Sequence, residues 1–347
     1  MKRLNKFLGI TSLVLFLMLI ASLLFTGYYI SNHSQLLQGF KDFQYSHFGN
    51  FEYEWSPFEH QKSSSFETLT EERTDNFLPV KNIVADISLE ELSFVAQDRA
   101  DIQVSYYSEQ PDSPNYSSQY SAEIIDNTLY IKSSYKISDM ILDKSYAHKI
   151  IIYVPSDYIC DNFDLSLSLG DITQNSIWEN TKNLTLKTKL GNIDLAVKSP
   201  KENLTLLGSG GTIDLSIEAA IKALNINSSF TELDIKTSAP ISLFECELDM
   251  SSLALACNSN INSFNANTKM SNIQADFNEA VNEININSNV SDIVFNLAKN
   301  SQSKIYTEGG ASNDFHSDFP ASKNISDANI IVFSKMGSIK INDTNLK

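Results

Sequence analysis

The sequence predicts an all-β protein, a single-stranded β-solenoid of ~20-residue coils preceded by one N-terminal transmembrane helix. Three observations predict it. An apolar pattern recurs at a fixed interval from residue 163 onward. The runs between turns are short and rich in Ile, Val and Leu, and no apolar run at helical spacing follows the N-terminal segment. That segment is long, uncharged and strongly apolar.

Residues 1–6 carry Lys2, Arg3 and Lys6 and are expected in the cytoplasm. From Phe7 to Ile30 no side chain is charged, and a helix of that length reaches about 36 Å, enough for a hydrocarbon core of about 30 Å. Positive charge before it and acidic residues after it place the bulk of the chain outside the cell. A cleaved signal peptide is the competing reading. The segment is long for an h-region, and Phe25-Thr26-Gly27-Tyr28-Tyr29 offers no small-x-small cleavage site. Both readings give an extracytoplasmic chain.

Residues 31–78 form an aromatic and polar spacer, as in Phe51-Glu52-Tyr53-Glu54-Trp55, with room for one short strand. Residues 79–162 hold β-type runs (Ile83–Ile87, Ile102–Tyr106, Thr128–Ile131, Lys149–Val154) bounded by Asp, Asn, Ser or Pro. They are expected to cap the solenoid, because a bare end coil exposes strand edges.

Regular coils occupy 163–300. Units begin at Phe163, Leu184, Leu204, Leu224, Phe244, Phe264 and Ile284; the first step is 21 residues and the later ones are 20. Nine places into each unit stands Ile172, Ile193, Ile213, Leu233, Leu253, Ile273 or Ile293. Apolar residues two apart share one face of a strand. A small residue seven places in (Gly170, Gly191, Gly211, Thr231, Ser251, Ser271, Ser291) marks the turn, where Gly accepts angles that other residues resist. One unit cannot bury its apolar face, but stacked units can, which predicts ladders of like residues. Residues 301–347 form an irregular coil and C-terminal cap: 300–329 break the register as a long loop or irregular coil, and Ile330–Ile341 is a diverged copy with its turn at Met336-Gly337-Ser338.

The strand Lys149-Ile150-Ile151-Ile152-Tyr153-Val154-Pro155-Ser156-Asp157, leading into Leu165-Ser166-Leu167-Ser168-Leu169-Gly170-Asp171-Ile172, resembles the "putative adhesin" or toastrack β-strand-repeat family of bacterial envelope proteins, a domain of unknown function. The resemblance covers roughly 79–341. It implies an external solenoid, no established catalytic residues, and association with envelope-stress sensing systems. The later coils depart from the family pattern, with Ser or Thr at the turn in place of Gly.

Composition narrows the function. With 26 Lys and Arg against 42 Asp and Glu, the net charge is −16, which disfavours nucleic acid and anionic lipid. Cys160, Cys246 and Cys257 make neither a disulfide framework nor a paired zinc motif and are expected to pack as small apolar side chains. The five histidines are scattered, and Gly208-Ser209-Gly210-Gly211 lacks the Gly-Lys-Ser/Thr ending of a phosphate loop.

Two constellations remain. Asp194, Asp214 and Asp234 stand ten places into successive coils, facing solvent. In register they form a carboxylate column, which Ca²⁺ could bridge through oxygen ligands or mobile counterions could screen. Asn225, Asn265 and Asn285 fall in one outward row, and Asn227, Asn267 and Asn287 in another; stacked amides bond along such rows and also offer a polar surface to a partner. The reading is a membrane-anchored extracytoplasmic solenoid, not an enzyme, that acts as a binding or envelope-stress accessory protein. Its expected partners are a cell-wall component or an envelope-stress sensor protein. The alternatives are a carbohydrate-active solenoid enzyme acting on wall polymer and a purely structural spacer.

Overall fold

Every strand in the repeat region carries apolar residues at alternate positions, and that alternation sets the architecture. The computed structural model describes residues 70–88, 91–108, 116–137, 148–173, 176–298, 303–309 and 313–344. The expected anchor at 7–30 and the spacer up to residue 69 lie outside the described residues. The chain divides into two compact units. One (Met1–Phe66 with Met140–Ser145) falls outside the described residues; the other (Glu67–Asp139 with Tyr146–Lys347) contains all that follows.

Strands β1–β7 form the N-terminal part: β1 (Thr70–Phe77), β2 (Asn82–Ile87), β3 (Glu91–Gln97), β4 (Ile102–Ser108), β5 (Tyr116–Ile125), β6 (Thr128–Ile137) and β7 (His148–Pro155). A separate four-stranded sheet runs β1-β4-β7-β3, with only the β7–β3 pair parallel. β1 lies inside the stretch read as spacer, which allowed for one short strand. β5 and β6 are an antiparallel hairpin turning at Asp126-Asn127, both with φ near +50 to +60°, the conformation that a right-twisted two-residue hairpin requires.

The coils follow. A first sheet contains β8 (Cys160–Leu169), β9 (Thr181–Leu190), β11 (Lys201–Gly208), β13 (Ile221–Ser229), β15 (Ile241–Asp249), β17 (Ile261–Lys269) and β19 (Val281–Val290). A second contains β10 (Ile193–Val197), β12 (Gly211–Ile217), β14 (Thr231–Thr237), β16 (Ser252–Cys257), β18 (Asn272–Phe277) and β20 (Asp292–Leu297). All these pairs are parallel; β8 and β9 are offset by 21 residues (Phe163↔Leu184), and every later pair is in 20-residue register, as in Ile193↔Ile213, Ile213↔Leu233, Leu233↔Leu253, Leu253↔Ile273 and Ile273↔Ile293. Ile172↔Ile193 begins the row with the 21-residue step. The repeat read from sequence is therefore the stacking rule of the fold.

The rows from both sheets meet in a continuous apolar interior. Each fully buried Leu, Ile or Phe contributes about 1.5–3 kcal/mol relative to exposure. Size is balanced from coil to coil. Where the first sheet narrows to Cys246 and Ala266 and the second to Ala275, the space is filled by Phe244, Phe264, Phe277 and Phe295, packed edge to face at 5.1–5.7 Å. All three cysteines are buried and unpaired; burial pushes the Cys246 thiol up to about 12, so it packs as an apolar group.

Both ends depart from chain order. β2 inserts between β6 and β8, with Ile83 paired to Leu129 and to Phe163. At the other end the stretch expected as a long loop or irregular coil carries β21 (Ile305–Gly309) and β22 (Asn313–Ser317). The chain then returns as β23 (Ile330–Asp343), wedged between them and the preceding coil. β23 pairs with β19 and β21 through its first half and with β20 and β22 through its second, joining the two sheets into one hydrogen-bonded array of 19 strands. The physical reason lies in composition. Ile330, Val332, Ile339 and Ile341 are buried and suit an internal coil, whereas Thr307, Glu308, Asp314 and His316 are exposed and suit an end.

The turn chemistry differs along the column. Gly170, Gly191 and Gly211 have φ of +125°, +149° and +106°. A Cβ on Gly191 would collide with the backbone carbonyl of Gly170, so these glycines are obligatory. In later coils the left-handed residue moves one place earlier, to Phe230, Met250 and Met270, with φ of +50° to +54°. The Thr or Ser at the former glycine position points inward. There Ser251, Ser271 and Ser291 each accept, through Oγ, the backbone N–H of the corresponding residue one coil earlier, at 3.2 Å. Two left-handed turn types thus share the same period, whereas at Val290-Ser291 neither residue has a positive φ.

Candidate binding surface

The outer face of the first sheet is built by residues that alternate with the core rows. One row runs Asn225, Glu245, Asn265, Asn285, and the next runs Asn227, Glu247, Asn267, Asn287. The six asparagines expected on one surface are brought together, but a glutamate interrupts each row. Asn285 Nδ2 donates to Asn265 Oδ1 at 3.0 Å and to Glu283 Oε1 at 3.0 Å, and Asn227 Nδ2 donates to Glu247 Oε2 at 2.9 Å. The rows are mixed amide and carboxylate ladders.

Two shallow depressions lie along these rows. One of about 280 Å³ is lined by Asn225, Asn227, Glu245, Glu247, Asn265 and Asn267 among others. The other, about 610 Å³, runs on past Asn267 and Asn287 to Lys335. Beyond Asn287 the row continues in Phe333, whose ring meets that of Tyr306 at 6.3 Å. The surface thus offers carboxylate acceptors, amides that both donate and accept, and an aromatic pair at one end. Glu245, Glu247, Phe333 and Tyr306 were not singled out from sequence. The 20-residue offset from the asparagines exposes the two glutamates at once, whereas the aromatic pair becomes visible only when β23 is placed next to β19.

A second asparagine ladder was also missed. Asn162 donates to Asn82 at 2.6 Å, Asn183 to Asn162 at 2.8 Å and Asn203 to Asn183 at 2.7 Å. Its last three members recur at the repeat interval one place before the first apolar residue, so the signal was present.

The aspartate column forms as expected, Asp194↔Asp214↔Asp234, but on the outer face of the second sheet, away from the asparagine rows. It ends at Ala254. Burial, and then the charges of Asp234 and Asp194, raise the Asp214 carboxyl above its ordinary value. Lys236 Nζ reaches Asp234 Oδ2 at 2.9 Å and partly neutralises the column. Among the described residues no group of three His, Cys, Asp or Glu side chains is arranged to hold a metal ion.

The model of the Toastrack DUF4097 family matches residues 80–344, from just before β2 through β23. The chain belongs to that family. The toastrack coils are similar to three solved structures of low identity. A "putative adhesin" from Bacteroides fragilis NCTC 9343 is 14% identical over 79% of this chain and 97% of its own, at a TM-score of 0.38. A "putative adhesin" from Parabacteroides merdae ATCC 43184 is 9% identical over 79% and 96%, at 0.37. A "putative lipid binding protein" from Parabacteroides distasonis ATCC 8503 is 16% identical over 78% and 96%, at 0.27. No curated protein matches the toastrack chain.

Proposed function

We propose that this toastrack protein is a membrane-anchored, extracytoplasmic, non-catalytic binding protein, and that the amide and carboxylate face of its first sheet takes a hydroxyl-rich polymer of the cell wall. The observation that carries the reading is the coincidence of the two depressions with the Asn and Glu rows, running toward the Tyr306 and Phe333 rings. Carboxylates accept from sugar hydroxyls, amides complement them in both senses, and an aromatic face packs on the apolar side of a sugar ring. Repetition at strand spacing, about 4.8 Å, presents such groups several times along one chain, so weak contacts add.

The test is equilibrium binding of purified wall polysaccharide to the full chain, measured by calorimetry. Glu247→Ala together with Asn267→Ala is expected to weaken binding about tenfold or more at unchanged melting temperature. Absence of binding, or binding unaffected by the pair, counts against the surface. Release of reducing sugar during incubation counts against a non-catalytic role. Location is tested separately: protease added to whole cells is expected to degrade the solenoid while sparing residues 1–6 and the anchor.

A further inference from the structure

One corner of the solenoid has its polarity inverted. Inside it, Thr188, Ser228, Thr268, Ser288, Thr231, Ser251, Ser271 and Ser291 are buried hydroxyl residues. Outside it, the sixth place of seven coils carries a large apolar side chain: Leu169, Leu190, Phe230, Met250, Met270, Val290 and Met336, each exposed by 38% to 62%. These stack coil upon coil, with Leu169 paired to Leu190 and Val290 to Met336. Between them the Phe230 N–H donates to Asp249 O and the Met250 N–H to Lys269 O. Gly210 is the gap between Leu190 and Phe230, and the Leu190 side chain lies beside it.

Three of these residues sit in a conformation that makes their identity costly. Phe230, Met250 and Met270 have positive φ, which disfavours a bulky L-residue by about 1–3 kcal/mol and is ordinarily given to Gly or Asn. Three successive coils thus combine local strain with exposed apolar surface, two penalties that Asn would remove together. With seven apolar side chains each about half exposed, the ridge presents on the order of 600 Å². That lies at the upper end of the largest patch on a typical monomer, ~300–600 Å², and near the ~800 Å² per partner of a standard interface.

We infer that this ridge is a self-association surface whose occupant is the same ridge on a second copy of the chain. A second ridge has the same coil-to-coil spacing, so its side chains can fall between those of the first along the whole length. The flanking charges permit it. Pairing the coils antiparallel about the midpoint between Phe230 and Met250 sets Lys189 opposite Asn289, Lys269 opposite Ser209, and Asp249 opposite Ser229. No like charges meet along that flank, although the chain as a whole is strongly acidic.

The test is sedimentation of the full chain in mild detergent, native against the triple variant Phe230→Asn, Met250→Asn, Met270→Asn. Asn tolerates the left-handed conformation, so the variant is expected to melt no lower than the native chain while self-associating about a hundredfold more weakly. A native chain that stays monomeric at tens of micromolar, or a variant that associates as tightly, overturns the inference. A photo-crosslinker in place of Met250 reports the occupant: adducts of twice the chain's mass that join the 225–255 regions of two copies support it, and intermolecular adducts formed only with lipid or with another protein refute it.

Discussion

Lys201 occupies an inward row that continues as Ile221, Ile241, Ile261 and Val281. It lines a small cavity with Trp178 and Leu195, and its ammonium donates to Ser199 Oγ at 2.6 Å and to Glu179 O at 3.4 Å. Burial lowers its pKa from 10.5 to about 8. The unfolded chain keeps this proton up to about pH 10.5 and the folded chain gives it up near pH 8, so between those values the unfolded state binds more protons. Stability therefore rises with pH across that window, and the penalty is fully present below it. Lys201→Ile is expected to remove the rise and to stabilise the fold at pH 7 by about 1–3 kcal/mol. Denaturant melts at pH 7, 9 and 10.5 check both effects; an equal slope in both proteins would show that Lys201 is not the titrating group.

At the scale of the coil, the serine ladder is the device that lets the later units dispense with glycine. Ser271 Oγ accepts the Ser251 N–H and donates to Leu248 O at 3.0 Å. Ser271→Ala leaves a buried N–H without a partner, a loss of about 1–3 kcal/mol. The exposed Ser242→Ala is expected to change stability by less than about 0.5 kcal/mol. Equal effects in thermal melts would mean that the ladder does not carry the turn. This difference was only half legible in the sequence. Ser251, Ser271 and Ser291 announce a small residue at the turn, but they do not say that the left-handed angle has passed to Met250 or Met270, because the exchange depends on an N–H one coil away. The same limit applies at the ends. The apolar alternation of Ile330–Ile341 identifies a coil, yet which strands flank it follows from edge pairing, which a linear pattern does not encode.

The molecule as a whole is a column in which sequence period and stacking period coincide. That is why the core rows were readable from Phe163 onward, and why the surface rows were readable wherever the residue type persisted: Asp194 to Asp234, and the asparagines on either side of Glu245 and Glu247. Function was less readable, because a binding face in such a column is a neighbourhood created by stacking, not a motif, and the Tyr306–Phe333 pair forms only after β23 returns. Quasi-one-dimensional stacking also makes stability nearly a sum over coils and their neighbours. A coil is then removable as a unit, provided that the register is kept. A one-residue slip, by contrast, turns every inward side chain out.

Excision of residues 221–240, compared with excision of 221–239, measures this most directly by circular dichroism and thermal melting. The 20-residue deletion joins Ala220 to Ile241 with the alternation intact and is expected to give a β-rich protein with a cooperative melt. The 19-residue deletion is expected to lose cooperative folding of the coils that follow. Indistinguishable melts from the two deletions would contradict in-register stacking as the basis of the fold.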